Sequence, residues 1–125
     1  EGDIAVWTQT ASEAFGYAID VSVVRTTSTD PDIQLLLYVH EGKAAGTALL
    51  YTTFPVTGVH QVGVAPPFRG QGIASSLMQH VLERCRVRGS QYVTLQASVA
   101  GMRLYKRLDF IEQFMVRSYQ RRRAV

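Results

Sequence analysis

Arg69-Gly70-Gln71-Gly72 stands where a short apolar run, "QVGV" at residues 61–64, gives way through Pro66 and Pro67 to an amphipathic run opening at Ile73. Two glycines and an arginine at such a junction suit the binding of an anion. The first amides of a helix have no intrahelical partner, and the aligned peptide dipoles put roughly half a positive charge there. Gly70 and Gly72 let the backbone come close to a phosphate, Arg69 adds a charge beside it, and Ala74, Ser75 and Ser76 leave the first turn uncrowded. The pattern reads as a pyrophosphate cradle. From these residues alone, a tight strand-to-helix turn that merely needs glycine reads as well. A Walker loop would end in Gly-Lys-Ser/Thr, and a dinucleotide fingerprint would carry a third glycine where Ser75 stands, so neither fits.

Other reactive residues are few. Cys85 is the one cysteine, which excludes an internal disulfide, and no His and Cys cluster has metal-ligand spacing, so no metal is expected. Arg84, Arg86 and Arg88 flank Cys85 and would lower its pKa, but its place in an apolar stripe makes it a buried filler. The net charge of +3 suits nucleic acid, an acidic substrate or a phosphorylated cofactor. Arg117, Arg121, Arg122 and Arg123 gather in the tail and read as solvated, as do Arg103, Lys106 and Arg107. Neither exposed aromatics nor a recognition helix accompanies the tail, so nucleic acid is not the expected partner.

The elements that must position the cradle follow from periodicity. Trp7, Ala11, Ala14, Phe15, Ala18, Ile19 and Val23 recur at spacings of three and four, which predicts one helix over Ala5 to Arg25. Thr26 to Asp32, with Pro31, is a loop. Ile33 to Glu41 and Ala44 to Phe54 are strands joined as a hairpin at Gly42 and Lys43, Pro55 to Gly58 is a turn, and Val59 to Val64 a third strand. Ile73, Leu77, Met78, Val81, Leu82 and Cys85 give a second helix closing near Gly89. Tyr92 to Ala97 is a fourth strand, Val99 to Leu108 a short helix, and Phe110 to Tyr119 a last strand. These 125 residues, 46% hydrophobic and 18% charged, suit a single domain over 1–125 in the α/β (α+β) class, a mixed, mostly antiparallel sheet flanked by helices. No apolar run approaches the ~18 residues of a membrane span, and the N-terminus lacks the segments of a secretory signal, so the expected location is the cytoplasm and no membrane is expected as partner. The chain opens on Glu1 rather than Met, inside a helical stripe, as a processed protein or a piece of a longer one would.

At this point the residues resemble a family. "VGVAPPFRGQGIASSLMQHVL" is similar to the signature of the GNAT acyltransferase superfamily, a strand ending in Val, a Pro, then Arg or Gln-x-x-Gly-x-Gly or Ala opening a helix, here Arg69-x-x-Gly72-x-Ala74. "YVTLQASVAGMRLYKRLDF" resembles the family's second motif, with Leu104, Tyr105 and Phe110 matching. The resemblance covers about Ile33 to Tyr119. Ser98 stands where Asn is usual, Gly101 where Ala is usual and Asp109 where Gly precedes the Phe. Ser98 can cap the helix that follows, and Asp accepts left-handed geometry more readily than most residues. The family's first strand and first helix have no counterpart, so the edge of the Ile33 strand is left to upstream sequence, another segment, or a second copy in a homodimer.

The resemblance implies an acetyl-CoA-dependent N-acetyltransferase acting on a primary amine of a small molecule or peptide by direct attack. It implies acetyl-CoA as co-substrate, with its pyrophosphate on Gly70, Gln71, Gly72, Ile73, Ala74 and Ser75, and its pantetheine arm along the backbone of Val62, Gly63 and Val64. Arg69 and Ser98 join the cofactor set. A backbone N–H near Val64 would polarise the thioester carbonyl. Tyr105 matches the tyrosine that protonates the leaving thiolate. For the base, His60 is the candidate, on the strand lining the cleft and by two-residue alternation on one face with Val62 and Val64; an ordered water is the other. The rival to catalysis is a non-catalytic acetyl-CoA-binding sensor or the degenerate half of a tandem protein.

Overall fold

The computed structural model describes residues 2–121; Arg122 and Arg123 of the basic tail lie outside them. Two compact units divide after Leu95. The first carries α1 (Gly2–Phe15), α2 (Val21–Thr27), β1 (Ile33–His40), β2 (Lys43–Thr53), β3 (Val56–Val64), a 3-10 turn at Pro66–Phe68, α3 (Ile73–Val87) and β4 (Tyr92–Leu95). Its four strands lie in the order β1-β2-β3-β4, antiparallel except for the parallel pair β3 and β4. This is the mixed, mostly antiparallel sheet the sequence predicts, with no strand before α1 and no partner on the outer edge of β1 among the described residues. No described helix is long and apolar enough to cross a membrane.

The single helix expected over Ala5 to Arg25 is two. Gly16 takes φ 76 and donates its N–H to Ser12 O at 2.9 Å, closing α1 in the left-handed conformation that glycine alone adopts freely. Asp20 then accepts from both the N–H and the hydroxyl of Ser22, which starts α2 in a new direction. Ala18 and Val23, expected on the buried stripe, are exposed as a result. Trp7, Ala11 and Val24 form the core under α1 and α2, packed on Leu35, Leu37 and Leu49 of the sheet. Trp7 donates its indole N–H to Leu36 O at 3.0 Å and Ala48 O at 3.3 Å, so a buried donor is satisfied by the two strands it covers.

On the opposite face, Ile73, Leu77, Met78, Val81 and Cys85 of α3 are buried, the stripe read from the sequence. Burial pushes the Cys85 thiol up from its usual range, and the opposing pull of Thr57 and Arg88 does not reverse it. Hydroxyls of Thr52, Thr57 and Ser90 chain together at 3.0 and 2.6 Å, tying the far end of α3 to the start of β3.

The second unit begins at Gln96 and holds α4 (Met102–Arg107). The last strand expected over Phe110 to Tyr119 is not formed, because a strand exists only against a ladder partner and no described residue pairs with this stretch. Ile111, Phe114, Met115 and Tyr119 stay exposed.

Candidate functional site

The site is built on the last half of β3. Its parallel partner β4 reaches only Val56 to Val59, so from His60 to Val64 the outer side of β3 has no ladder partner among the described residues. Ala65 donates its N–H to Ala45 O at 2.8 Å, toward β2. Polar groups alternate sides along an antiparallel strand, so those of Val64 turn the other way, into the opening beside β4. The carbonyl of Val64 bears this out by accepting from Arg69 Nε at 3.0 Å, outside the ladder.

A bulge sets which side chains share a face here. The register slips between Thr47 and Leu49, and Gln61 takes φ 54, so one β2 residue spans two of β3. The buried Thr47 hydroxyl donates to Gln61 O at 2.9 Å and holds the bulge. His60 stands opposite Leu49 and Gly63 opposite Thr47, so His60 and Gly63 share a face. The two-residue alternation that joined His60 to Val62 and Val64 fails at the extra residue. The His60 ring is exposed and folds back over Gly58, where a Cβ would lie 2.9 Å from its Nε2.

Arg69 also departs from its expected place as a charge beside a phosphate. Its Nη2 donates to Ala14 O at 2.8 Å while its Nε holds Val64 O, so the guanidinium straps the end of α1 to the end of β3. Gly63 is the contact point between them. A Cβ there would lie 2.8 Å from Ala14 Cβ and 3.1 Å from two ring atoms of Phe15, so only glycine lets the helix come this close. Ala14, Phe15 and Thr47 were not foreseen as site residues; Gly16, a helix-ending glycine, was the local signal that α1 stops here.

Beyond the strap lies the cradle. Gly70 and Gly72 take φ 77 and 76, and a Cβ at either would meet nothing within 4 Å, so the space over the loop is open. Gly72 is the N-cap of α3 without a side-chain cap, and Ser76 N–H to Gly72 O at 3.1 Å is the first helical bond. The amides of Ile73, Ala74 and Ser75 therefore precede the ladder and carry no intrahelical partner. The Ile73 side chain is buried, Ala74 and Ser75 are half-buried, and Gln71 is exposed.

In the second unit, Ser98 does not cap α4. Its hydroxyl and carbonyl both accept from Gly101 N–H, at 3.2 and 3.0 Å, closing the turn before the helix, and Gly101 is the N-cap. The Tyr105 ring leans on Gly101, where a Cβ would stand 3.0 Å from it, and packs edge-on against Phe110 at 5.8 Å. Burial pushes the Tyr105 phenol up. Asp109 takes φ 66, the left-handed turn expected of it.

Three comparisons match this arrangement. The acetyltransferase (GNAT) family model matches residues 5–110. An uncharacterized N-acetyltransferase of Methanocaldococcus jannaschii is 35% identical over 69 residues, which are 53% of this chain and 30% of that relative. The chain thus spans under a third of its curated relative's length. Among solved structures, a ribosomal-protein alanine N-acetyltransferase from Escherichia coli superposes with a TM-score of 0.80 at 20% identity, over 90% of this chain and 74% of that one. AAC(6')-Iy in complex with the bisubstrate analogue CoA-S-monomethyl-acetylneamine gives 0.79 at 18% identity, over 98% and 93%. At such identities the likeness is one of fold.

Proposed function

Since the chain belongs to the GNAT acetyltransferase family across residues 5–110, we propose that it moves an acetyl group from acetyl-CoA to a primary amine of a small molecule or peptide, by direct attack of the amine. The observation that carries this reading is the uncapped N-terminus of α3 adjoining the unpaired stretch of β3. The residues fit the donor: open space over Gly70 and Gly72 and three unpartnered amides suit a pyrophosphate. A CoA-containing analogue in a neighbour of the same fold supports the class of donor.

Acetyl-CoA, when bound, supplies the activated acyl group. Gly70, Gln71, Gly72, Ile73, Ala74 and Ser75 offer backbone amides to the phosphates, and the stretch Val62, Gly63 and Val64 runs beside the pantetheine arm, with the outward N–H of Val64 on the open side and the polar groups of Gly63 turned to β2. The outward N–H of Val64 is the donor for the acyl oxygen, a contact worth about 2.7–4 kcal/mol in other oxyanion holes. Arg69 keeps Val64 in that attitude through its carbonyl. The attacking ammonium must first lose a proton. His60 accepts it, directly after turning about its Cα–Cβ bond or through a water, from the same face as Gly63. Tyr105 protonates the departing thiolate, a role supported by its place in the Leu104-Tyr105 motif; a phenol already holds its proton at neutral pH, and burial pushes it further that way.

Ser75→Glu tests the cradle with two readouts of opposite sign. A carboxylate in the first turn of α3 favours the helix dipole and so holds or raises thermal stability, while it repels phosphate. Calorimetry should find CoA binding weakened at least about tenfold, the 1.4 kcal/mol scale of one such repulsion at close range. Unchanged CoA affinity in the folded variant would remove the pyrophosphate assignment. Thiol release from acetyl-CoA across a panel of amines separates the transferase from a sensor, which binds and releases none.

A further inference from the structure

An amine that reaches an acyl group held at the Val64 N–H has two faces of the sheet to come from, and one is closed. Gly46 is the ladder partner of Val64, and Ile73 Cγ2 stands 3.6 Å from where a Cβ on Gly46 would be, so the buried Ile73 fills the α3 face. The other face belongs to α1. There Phe15 lies against the backbone of Gly63, the residue before Val64, and its ring meets that of Tyr17 with centroids 6.2 Å apart, tilted by 39°. Phe15 remains 37% exposed and Tyr17 58% exposed, so two aromatic surfaces face solvent beside the strand. The bulge at Gln61 turns His60 to this same face.

Arg69 brings a positive charge to this wall, where Ala14 O and Val64 O hold its guanidinium. Residues 2–24 include Asp3, Glu13 and Asp20 and contain neither lysine nor arginine. Hydrogen bonds from Ser22 hold the Asp20 carboxyl below its usual range, so it stays ionised. Such a wall offers an ammonium group two aromatic faces, with Arg69 tied into the backbone beside them.

We propose that Phe15 and Tyr17 are the acceptor platform and that they select a small primary amine arriving as an ammonium ion and carrying an aromatic or bulky apolar body. This rests on the acetyl-transfer reading above. In the step served, the ammonium gives one proton to His60 or water, its neutral nitrogen bonds the acyl carbon, the carbon–sulfur bond breaks, and the nitrogen sheds a second proton that balances the one the thiolate takes up, leaving the amide and the free thiol. The body of the amine lies on the two rings while its nitrogen reaches past Gly63.

The test follows thiol release from acetyl-CoA with phenethylamine, spermidine and glucosamine 6-phosphate as acceptors, alongside calorimetry of acetyl-CoA. We expect kcat/KM for phenethylamine at least tenfold above both others. Phe15→Ala and Tyr17→Ala should each raise KM for phenethylamine roughly three- to tenfold, the scale of one aromatic or cation–π contact, with acetyl-CoA affinity within about twofold of the parent and Tyr17→Phe restoring KM. Tyr17 lies outside the helix, so its variant serves if Phe15→Ala does not fold. Phenethylamine binding to protein saturated with CoA reads the platform without turnover. Acetyl-CoA binding with spermidine or glucosamine 6-phosphate preferred, or an unmoved KM in both alanine variants, overturns the platform and leaves the transferase standing. Failure to bind acetyl-CoA overturns the transferase reading itself, and the platform with it.

Discussion

Tyr105→Phe removes one hydroxyl from a ring already held by Gly101 and Phe110, so the helix should keep its place and acetyl-CoA its affinity. Acyl transfer should slow by about 10²–10⁴, the scale of a lost general acid. Wild-type turnover on a good acceptor would end that assignment. His60→Gln should likewise slow acyl transfer by about 10²–10⁴ with acetyl-CoA affinity kept, the scale of a lost general base; wild-type turnover in that variant leaves water as the relay. Arg69 tests a different relation. As a strap between Ala14 O and Val64 O it acts on the N–H of Val64 through the backbone, so Arg69→Gln should lower kcat by about tenfold or more while CoA affinity falls by less. Arg69→Lys, which keeps the charge but loses the fork, should rescue little. A loss confined to CoA affinity and restored by Lys would return Arg69 to the phosphates.

At the scale of elements, the contact between α1 and β3 has no slack. Gly63→Ala sets a methyl 2.8 Å from Ala14 Cβ on a helix anchored by the buried Trp7, so the helix end must lift rather than a side chain turn. Overpacking of this kind costs about 1–3 kcal/mol. We expect a lower Tm and a loss of acyl transfer together, because the strap from Arg69 to Ala14 would lengthen with the lift. A Tm unchanged within error would mean that α1 moves freely over β3.

At the scale of the whole molecule, stability should fall on the alkaline side. Cys85 has its folded pKa raised by burial above the ordinary thiol value of 9.0. The unfolded chain therefore gives up this proton first, and stability that is fully present below pH 9.0 is lost as pH rises toward the folded value. Tyr105, also raised by burial, adds to the loss from its ordinary value of 10.0 upward. Thermal melts of Cys85→Ala against the parent should show the gap between them narrowing above pH 9.0; a gap that stays constant would mean the thiol titrates alike in both states.

Local signals carried much of this protein. Helical stripes, the hairpin, the Gly70 and Gly72 turn and the left-handed Asp109 depend on residues within a few positions of each other, so composition and spacing set them. The break after Phe15 was also local, written in Gly16 and Asp20, but the continuous apolar stripe masked it. What the chain alone could not reveal are relations between distant segments. A bulge exists only between two strands, so the face of His60 was decided when Thr47 met Gln61, 14 residues apart. Arg69 found its acceptor on α1 across 55 residues, where its own neighbours suggested a phosphate. Phe110 to Tyr119 has the residues of a strand, yet strand formation needs a ladder partner and the described fold offers it none. Sequence determined most of the elements and the glycine turn that opens α3; tertiary structure decided which side chains face the opening, because side-chain direction on a sheet follows register, and register belongs to pairs of strands.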